Sequence, residues 1–305
     1  MRSRSIHRSI ALTCLLAACG GAQSPPIAPT ETAPDAWRTW RERRETSIAG
    51  EDGWLTLIGL HWLPEGDWSL GSDPGATIVL PADRAPARAG WLAVGDGGVD
   101  FVPQLEGAVT LAGTPVIDPI PLRPDVPGPP TILELGSLRM HVIARGDRLG
   151  LRVKDRASPA RASFHGIPVF DYDPRYRVRA RFEPAAEGEG LPIANVLGQV
   201  EDVPLAGRLR FELEGQSLVL LTTLEGETLA EGLGVMLRDT TSGEETYGAG
   251  RYLEVEAPDA ESRTTIDFNL AYTPPCGFTD HATCPLPPPE NELPIAIRAG
   301  ERDAH

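Results

Sequence analysis

The residues best able to do chemistry lie towards the C-terminal end of the chain. Arg251, Asp267 and Asn269 combine a permanent positive charge, a carboxylate and an amide, and such groups hold anionic ligands through directed hydrogen bonds. In an extended strand Asp267 and Asn269 would lie on the same side. We therefore predict a ligand-binding site made by Tyr247, Arg251, Asp267, Asn269, His281, Glu290 and Asn291.

Two other interpretations of this set stay open. Arg251 and Asp267 could form a buried salt bridge that holds a sheet together, with Asn269 capping a turn. Alternatively, the protein is a hydrolase or lyase in which Asp267 or Glu290 is the base and Arg251 holds an anionic substrate. A pocket that converges on both acids would favour the enzyme. The sequence contains no G-x-S-x-G or H-E-x-x-H motif, and we assign no catalytic residue.

The N-terminal segment predicts export and lipid attachment. Three arginines within residues 2–8 precede an apolar run, residues 10–18, which is too short to cross a bilayer as a helix. The run ends in the sequence Leu-Ala-Ala-Cys at residues 16–19. This sequence resembles the bacterial lipobox, which implies that Cys19 is acylated.

An acylated Cys19 would anchor the protein in lipid without a membrane-spanning helix. Residues 1–18 would then be a signal peptide, and residues 19–33 a small, polar, flexible tether. Because Gly20 rather than aspartate follows the cysteine, we favour the outer membrane of a bacterial cell envelope, with the folded body facing the periplasm. The net charge of −15 repels phosphate backbones, so we predict no nucleic-acid partner.

Cys276 and Cys284 are the cysteines that would remain after cleavage of the signal peptide and acylation. Exported proteins meet an oxidising environment, so we predict a disulfide between them. A thiol redox protein with a reactive free pair is the alternative. A metal site would normally have closer cysteines and more ligands than His281 alone.

A second polar group comprises His165, Asp171 and Asp173. These side chains are possible ligands of a divalent cation, but the sequence around Asp173 is equally typical of a turn before a strand. We predict no metal and no cofactor.

The spacing of apolar residues predicts an all-β protein with one short N-terminal helix, over residues 35–48. Polar and apolar residues alternate in YRVRARF (176–182) and RLRFEL (208–213), which indicates half-buried antiparallel strands. We predict two antiparallel subdomains of sandwich or barrel type. The first, residues 34–155, includes the helix, and the second, residues 156–305, includes the proline-rich disulfide loop.

The first subdomain resembles the frame of a forkhead-associated β-sandwich in segment 71–80, in GWL at 90–92 and in VTLAG at 109–113. The resemblance implies a β-sandwich. Ser72 stands where that family has an arginine, and Ala112 stands where asparagine is usual. Because these differences remove donors that hold a phosphothreonine, we expect no phosphopeptide binding.

Four longer segments resemble the bacterial and archaeal family called domain of unknown function 1684. They are GWLTLIGLHWLPEG (53–66), FHGIPVFDYDPRYRVRARF (164–182), ETYGAGRYLEV (245–255) and the stretch 266–301. The resemblance predicts membership over about residues 37–301, and it implies no reaction, cofactor or partner. We therefore predict a lipid-anchored envelope protein that acts as a non-catalytic binding or scaffold module. Its small-molecule or envelope partner is not specified by the sequence.

Overall fold

The computed structural model describes residues 33–105 and 107–303, and it confirms an all-β protein with one N-terminal helix. Helix α1 spans Ala33–Ala49, and a one-turn helix, α2, spans Pro159–Ala162. No helix in this part of the chain is long and apolar enough to span a bilayer. Cys19 and the predicted signal peptide lie outside the described residues.

The first β unit consists of two sheets that share one apolar core between residues 63 and 153. One sheet has the strand order β1-β11-β10-β9-β6-β7 and the other β3-β2-β4-β5-β8, and within them only β2 and β3 pair in parallel. The strands are β1 (Leu57–Trp62), β2 (Gly66–Gly71), β3 (Ile78–Val79), β4 (Gly90–Gly95), β5 (Gly98–Pro103), β6 (Thr110–Leu111), β7 (Thr114–Pro115), β8 (Ile120–Leu122), β9 (Leu133–Leu135), β10 (Leu138–Arg145) and β11 (Arg148–Asp155).

The second β unit is a six-stranded antiparallel sheet of order β18-β17-β16-β15-β12-β19, with a separate hairpin, β13–β14. Its own core lies between residues 176 and 299. The strands are β12 (Arg177–Pro184), β13 (Gly190–Ala194), β14 (Val200–Pro204), β15 (Gly207–Leu213), β16 (Gln216–Leu224), β17 (Leu233–Leu237), β18 (Arg251–Val255) and β19 (Arg263–Asp267).

The alternating sequences form the expected half-buried strands. In β15, Leu209, Phe211 and Leu213 are buried, whereas Arg210 and Glu212 are exposed. Successive side chains of a strand point to opposite faces. One face of this sheet therefore covers the core and the other presents charged groups to solvent.

Helix α1 connects the two units. A small apolar cluster at the junction contains Ile48 from the helix, Leu55 from the short turn before β1, and Ile167. Arg44 also forms a salt bridge with Glu301, 3.0 Å between Nε and Oε1. The helix thus packs against residues from both ends of the chain.

Candidate ligand-binding site

Arg251, the centre of the site predicted from the sequence, is fully buried, and both of its terminal nitrogens are hydrogen-bonded within the protein. Its Nη2 donates to the carboxylate of Asp239 at 2.6 Å and to the Ile297 carbonyl at 2.9 Å, and its Nη1 donates to the Ala299 carbonyl. The side chains of Arg251 and Asp239 are both 0% exposed. The partner of Arg251 is therefore Asp239 and not Asp267, and the guanidinium faces the last segment of the chain rather than solvent.

Asp267 and Asn269 form a different network. Asp267 Oδ1 accepts hydrogen bonds from the backbone N–H and the side-chain amide of Asn269, at 3.1 and 2.8 Å. Asn269 in turn joins the backbone of Asp173, because its Oδ1 accepts from the Asp173 N–H at 2.9 Å and its Nδ2 donates to the Asp173 carbonyl at 3.0 Å. These contacts hold the end of β19 to the segment before β12.

Asn291 and Glu290 are neighbours in sequence with different surroundings. Asn291 is 1% exposed. Its Oδ1 accepts a hydrogen bond from the Leu221 N–H at 2.7 Å, and its Nδ2 donates to the carbonyls of Leu221 and Met236 at 2.9 and 2.8 Å. Glu290 is exposed. The carboxylate proposed as an alternative base and the guanidinium of Arg251 therefore do not share a site.

Of the group of His165, Asp171 and Asp173, Asp173 caps the single turn of 3-10 helix that precedes β12. The Asp173 carboxylate accepts from the backbone N–H of Arg175 at 2.9 Å and forms a salt bridge with its guanidinium at 2.6 Å. Within the described residues, no three His, Cys, Asp or Glu side chains are placed to hold a metal ion.

The disulfide predicted between Cys276 and Cys284 is wrong for this structure, because both cysteines are free. The Cys276 N–H donates to Cys284 Sγ at 3.2 Å, so the second sulfur is held by a hydrogen bond instead of a covalent bond. A hydrogen bond from the Cys284 thiol lowers the pKa of the Cys276 thiol to about 7, and the same bond, together with burial, raises the pKa of Cys284. Tyr247 fixes this segment, since its hydroxyl donates to the Cys276 carbonyl at 2.9 Å.

The segment 276–284, which we call the thiol loop, packs against the first β unit. Thr279 Oγ1 donates to the carbonyl of Leu57 at 3.0 Å. His281 lies close enough to His61 in β1 that its charge, after burial, contributes to lowering the pKa of His61. The loop therefore contacts β1, the edge strand of the first unit.

Arg152 is the functional candidate that sequence reasoning missed. It lies on β11 between Leu151 and Val153, which belong to the core, so its side chain projects from the outer face of the sheet. It is 8% exposed. Its Nη2 donates one long hydrogen bond, 3.4 Å, to Thr283 of the thiol loop, and its Nε is buried without a partner.

No carboxylate in the described chain lies within 4.0 Å of the Arg152 guanidinium, in contrast to that of Arg251. Burial lowers the pKa of Arg152, and the nearby Arg145 adds to this effect, whereas the more distant charge of Asp125 and the Cys284 thiol oppose it. A guanidinium stays protonated even so, because its ordinary pKa exceeds 12. The junction therefore holds a buried positive charge with unused donors.

Three further neighbours belong to the surroundings of Arg152. His141 lies directly opposite Arg152 on β10, and burial, followed by the charges of Arg152 and Lys154, lowers the pKa of His141 to about 4. The ring of Trp54 has Arg152 at 5.4 Å and Lys154 at 5.9 Å from its centroid. At neutral pH the neutral imidazole adds no repulsion, and the two cations can act together on an anion.

A sequence signal for this site exists in β11. The segment RLGLRVKD places Arg152 and Lys154 on one side of a strand whose other side is apolar. The alternation is the same as in YRVRARF, where the arginines are exposed. What the pattern could not show is that another part of the chain covers these two cations.

The family model described as "Protein of unknown function (DUF1684)" matches residues 162–302. A solved structure of an uncharacterized protein from gene locus rrnAC0354 of Haloarcula marismortui is 34% identical, over 47% of this chain and 78% of the other, with a TM-score of 0.39. The chain belongs to the DUF1684 family.

The resemblance expected over residues 37–301 is thus shown for residues 162–302, which contain the thiol loop but not Arg152. No protein of curated function matches the chain. The DUF1684 name and the archaeal structure carry no reaction or ligand, so the function must be argued from the geometry.

Proposed function

We propose that this DUF1684 protein is a non-catalytic binding protein of the bacterial cell envelope that holds a small anionic ligand at Arg152. The observation that carries the proposal is the burial of this guanidinium at 8% exposure without a carboxylate within 4.0 Å in the described chain. We call this site the junction site, and its residues are Trp54, His141, Arg152, Lys154 and Thr283.

An isolated buried charge costs several kcal/mol of stability unless a partner compensates for it. Arg251 shows how this fold compensates a buried arginine, with a carboxylate and two carbonyls. Arg152 has one long hydrogen bond, to Thr283, the ring of Trp54 at 5.4 Å from its guanidinium, and the charge of Asp125 at a longer distance. A carboxylate or phosphate group entering at the junction would restore the missing charge pair and bond to the unused nitrogens.

The envelope location rests on the sequence of the first nineteen residues. Export to this compartment and a lipid at Cys19 would put the folded body within reach of a membrane surface. The fourteen residues from Cys19 to the start of α1 span at most about 50 Å when extended. The likeness of the first β unit to a forkhead-associated frame remains a prediction, and we propose no phosphothreonine binding.

The test is calorimetric titration of the full chain with inorganic phosphate and with acetate. Arg152→Gln should weaken binding of the preferred anion by about tenfold or more, equivalent to at least about 1.4 kcal/mol. The matched control is Arg148→Gln, because Arg148 is an exposed arginine on the same strand. It should leave the affinity within about twofold.

A second test of the proposal measures the free energy of unfolding of an Arg152 variant. Arg152→Met replaces the charged group with an apolar side chain of similar length, and we expect the free energy of unfolding to rise by about 1–4 kcal/mol while anion binding is lost. If neither anion binds the wild-type protein, or if Arg152→Met lowers its stability, Arg152 is not a ligand site and the proposal is wrong.

A further inference from the structure

The outer face of the second β unit carries a group of arginines, which we call the row: Arg179 and Arg181 of the alternating segment YRVRARF, Arg210 and Arg263. Ala180 and Phe182 of β12 are buried, so Arg179 and Arg181 face solvent. Arg181 lies directly opposite Arg210 of β15 on one side and Arg263 of β19 on the other. Three arginines thus stand side by side across three neighbouring strands.

This arrangement opposes the stability of the sheet. Neighbouring strands are about 4.8 Å apart, and like charges directly opposite each other are destabilising. Arg210 is compensated by Glu183 at 2.7 Å, and Arg263 by Asp259 at 3.0 Å and by Glu261 at 2.7 Å. Arg179 and Arg181 have no carboxylate within 4.0 Å among residues 33–105 and 107–303.

The row borders an open groove of about 910 Å³. Its charged lining consists of the four arginines and two glutamates, Glu212 and Glu261. Glu183 and Asp259 balance Arg210 and Arg263 at its border, so Arg179 and Arg181 are the arginines of this lining without a carboxylate within 4.0 Å among the described residues. None of the residues of the junction site lines this groove.

We propose that this groove, the arginine groove, binds a ligand that carries two or more phosphate groups. The strands that carry these arginines are about 4.8 Å apart, and alternate residues of β12 are about 7 Å apart, so the four arginines are spread over an area larger than one phosphate group. Each can hold a phosphate through two parallel N–H donors. A ligand with several linked phosphates would contact the row and neutralise Arg179 and Arg181.

The phosphates could belong to a free oligophosphate or to a lipid headgroup, and the experiment distinguishes these sources. The probes are tripolyphosphate, a short-chain water-soluble phosphatidylinositol bisphosphate, and inorganic phosphate as the comparison with a single phosphate group. Titrations use the full chain carrying Arg152→Met, so that the junction site contributes nothing. A free source predicts tighter binding of tripolyphosphate, and a lipid source tighter binding of the phosphoinositide.

The double variant Arg179→Gln/Arg181→Gln should weaken binding of the preferred probe by about tenfold or more and reduce the dependence of affinity on salt concentration. Arg148→Gln, on the first β unit, is the matched control and should change neither quantity. Equal binding by the double variant, or no preference of the protein for either probe over inorganic phosphate, would overturn the proposal. These results do not depend on Arg152, so they leave the proposed junction site untouched.

A second measurement separates a ligand role from a structural one. If Arg181 is retained for binding, Arg181→Thr should raise the thermal unfolding midpoint in the absence of ligand, because it removes the repulsion within the row and places a residue favoured in strands. A lowered midpoint would mean that Arg181 stabilises the sheet, and that its role is structural rather than ligand binding.

Discussion

At the scale of single residues, the two buried arginines have opposite surroundings. Arg251 is matched by Asp239 and two backbone carbonyls, whereas Arg152 has one long hydrogen bond, to Thr283, and the ring of Trp54. A buried charge with good partners is structural, and removing one partner leaves the other uncompensated. Arg251, the centre of the site predicted from the sequence, is therefore structural, and Arg152 is the buried arginine without a carboxylate within 4.0 Å among the described residues.

The Arg251 network predicts a large loss of stability on substitution of its partner. Asp239→Asn should lower the free energy of unfolding by about 3–5 kcal/mol, because the guanidinium stays buried without its counter-charge. Chemical denaturation measures the change. Asp267→Asn is the matched control: the Asp267 side chain is 16% exposed and its salt bridge with Arg177 is 3.6 Å long, so a loss of only about 1–2 kcal/mol is expected.

The double variant Arg251→Met/Asp239→Leu should be closer in stability to the wild type than Asp239→Asn, since an apolar pair removes both buried charges. Equal losses for Asp239→Asn and Asp267→Asn would show that the Arg251 network does not carry the structural role assigned to it.

At the scale of elements, the outer faces of β10 and β11 depart from the ordinary polar surface of a sheet. His141, Arg152 and Lys154 are partly or largely buried there, because the thiol loop and the turn with Trp54 lie over this face. Strand alternation decides that these side chains point outward. The covering segments decide how much water reaches them.

The buried position of His141 predicts a loss of stability in mild acid. Its pKa of about 4 in the folded protein lies below the ordinary value of 6.5, so the unfolded chain binds more protons between these two pH values. Stability contributed by the neutral imidazole is complete above about pH 6.5 and is lost as the pH falls towards about 4, by about 1–3 kcal/mol in total. Asp125 opposes the shift, and Arg145, Arg152 and Lys154 promote it.

The measurement compares the free energies of unfolding at pH 7 and pH 5. His141→Gln should reduce the difference between the two, whereas His165→Gln, at an exposed histidine, should leave it as in the wild type. An unchanged difference in His141→Gln would mean that the imidazole titrates in the folded protein as it does in water.

At the scale of the whole molecule, α1 ties the beginning of the described chain to its end. Arg44 reaches Glu301, which is 1% exposed, donates to the Thr273 carbonyl, and stacks on Tyr272 with 4.6 Å to the ring centroid. Burial raises the pKa of Glu301, and the charge of Arg44 opposes this rise. The helix thus supplies the cation that allows a carboxylate to be buried at the junction.

Arg44→Leu should therefore loosen the helix and the C-terminal segment together. We expect a loss of about 3 kcal/mol in unfolding free energy, and faster amide hydrogen exchange in both α1 and residues 266–301. Arg43→Leu, at the exposed neighbouring position, is the control and should change neither. Faster exchange confined to α1 would show that the helix does not stabilise the end of the chain.

Patterns with a short range in the sequence predicted the fold class well. The alternation in residues 176–182 and 208–213 was sufficient because the two faces of a strand differ in every second residue. The helix at residues 35–48 was predicted from apolar residues spaced along one helical face, and it is confirmed within Ala33–Ala49. Pairing between distant residues was predicted poorly: the sequence suggested Asp267 for Arg251, and the structure has Asp239.

The sequence by itself determined the all-β class, the likeness to DUF1684 and the export and lipidation signals that remain to be tested, because all of these are written in local composition and spacing. Only the tertiary structure decided that buried Arg251 is paired with a carboxylate, whereas buried Arg152 has none within 4.0 Å in the described chain. It also decided that Cys276 and Cys284 are free thiols. The reason is physical: the state of a charged or reactive side chain depends on the groups that surround it in space, and most of those groups come from remote parts of the chain.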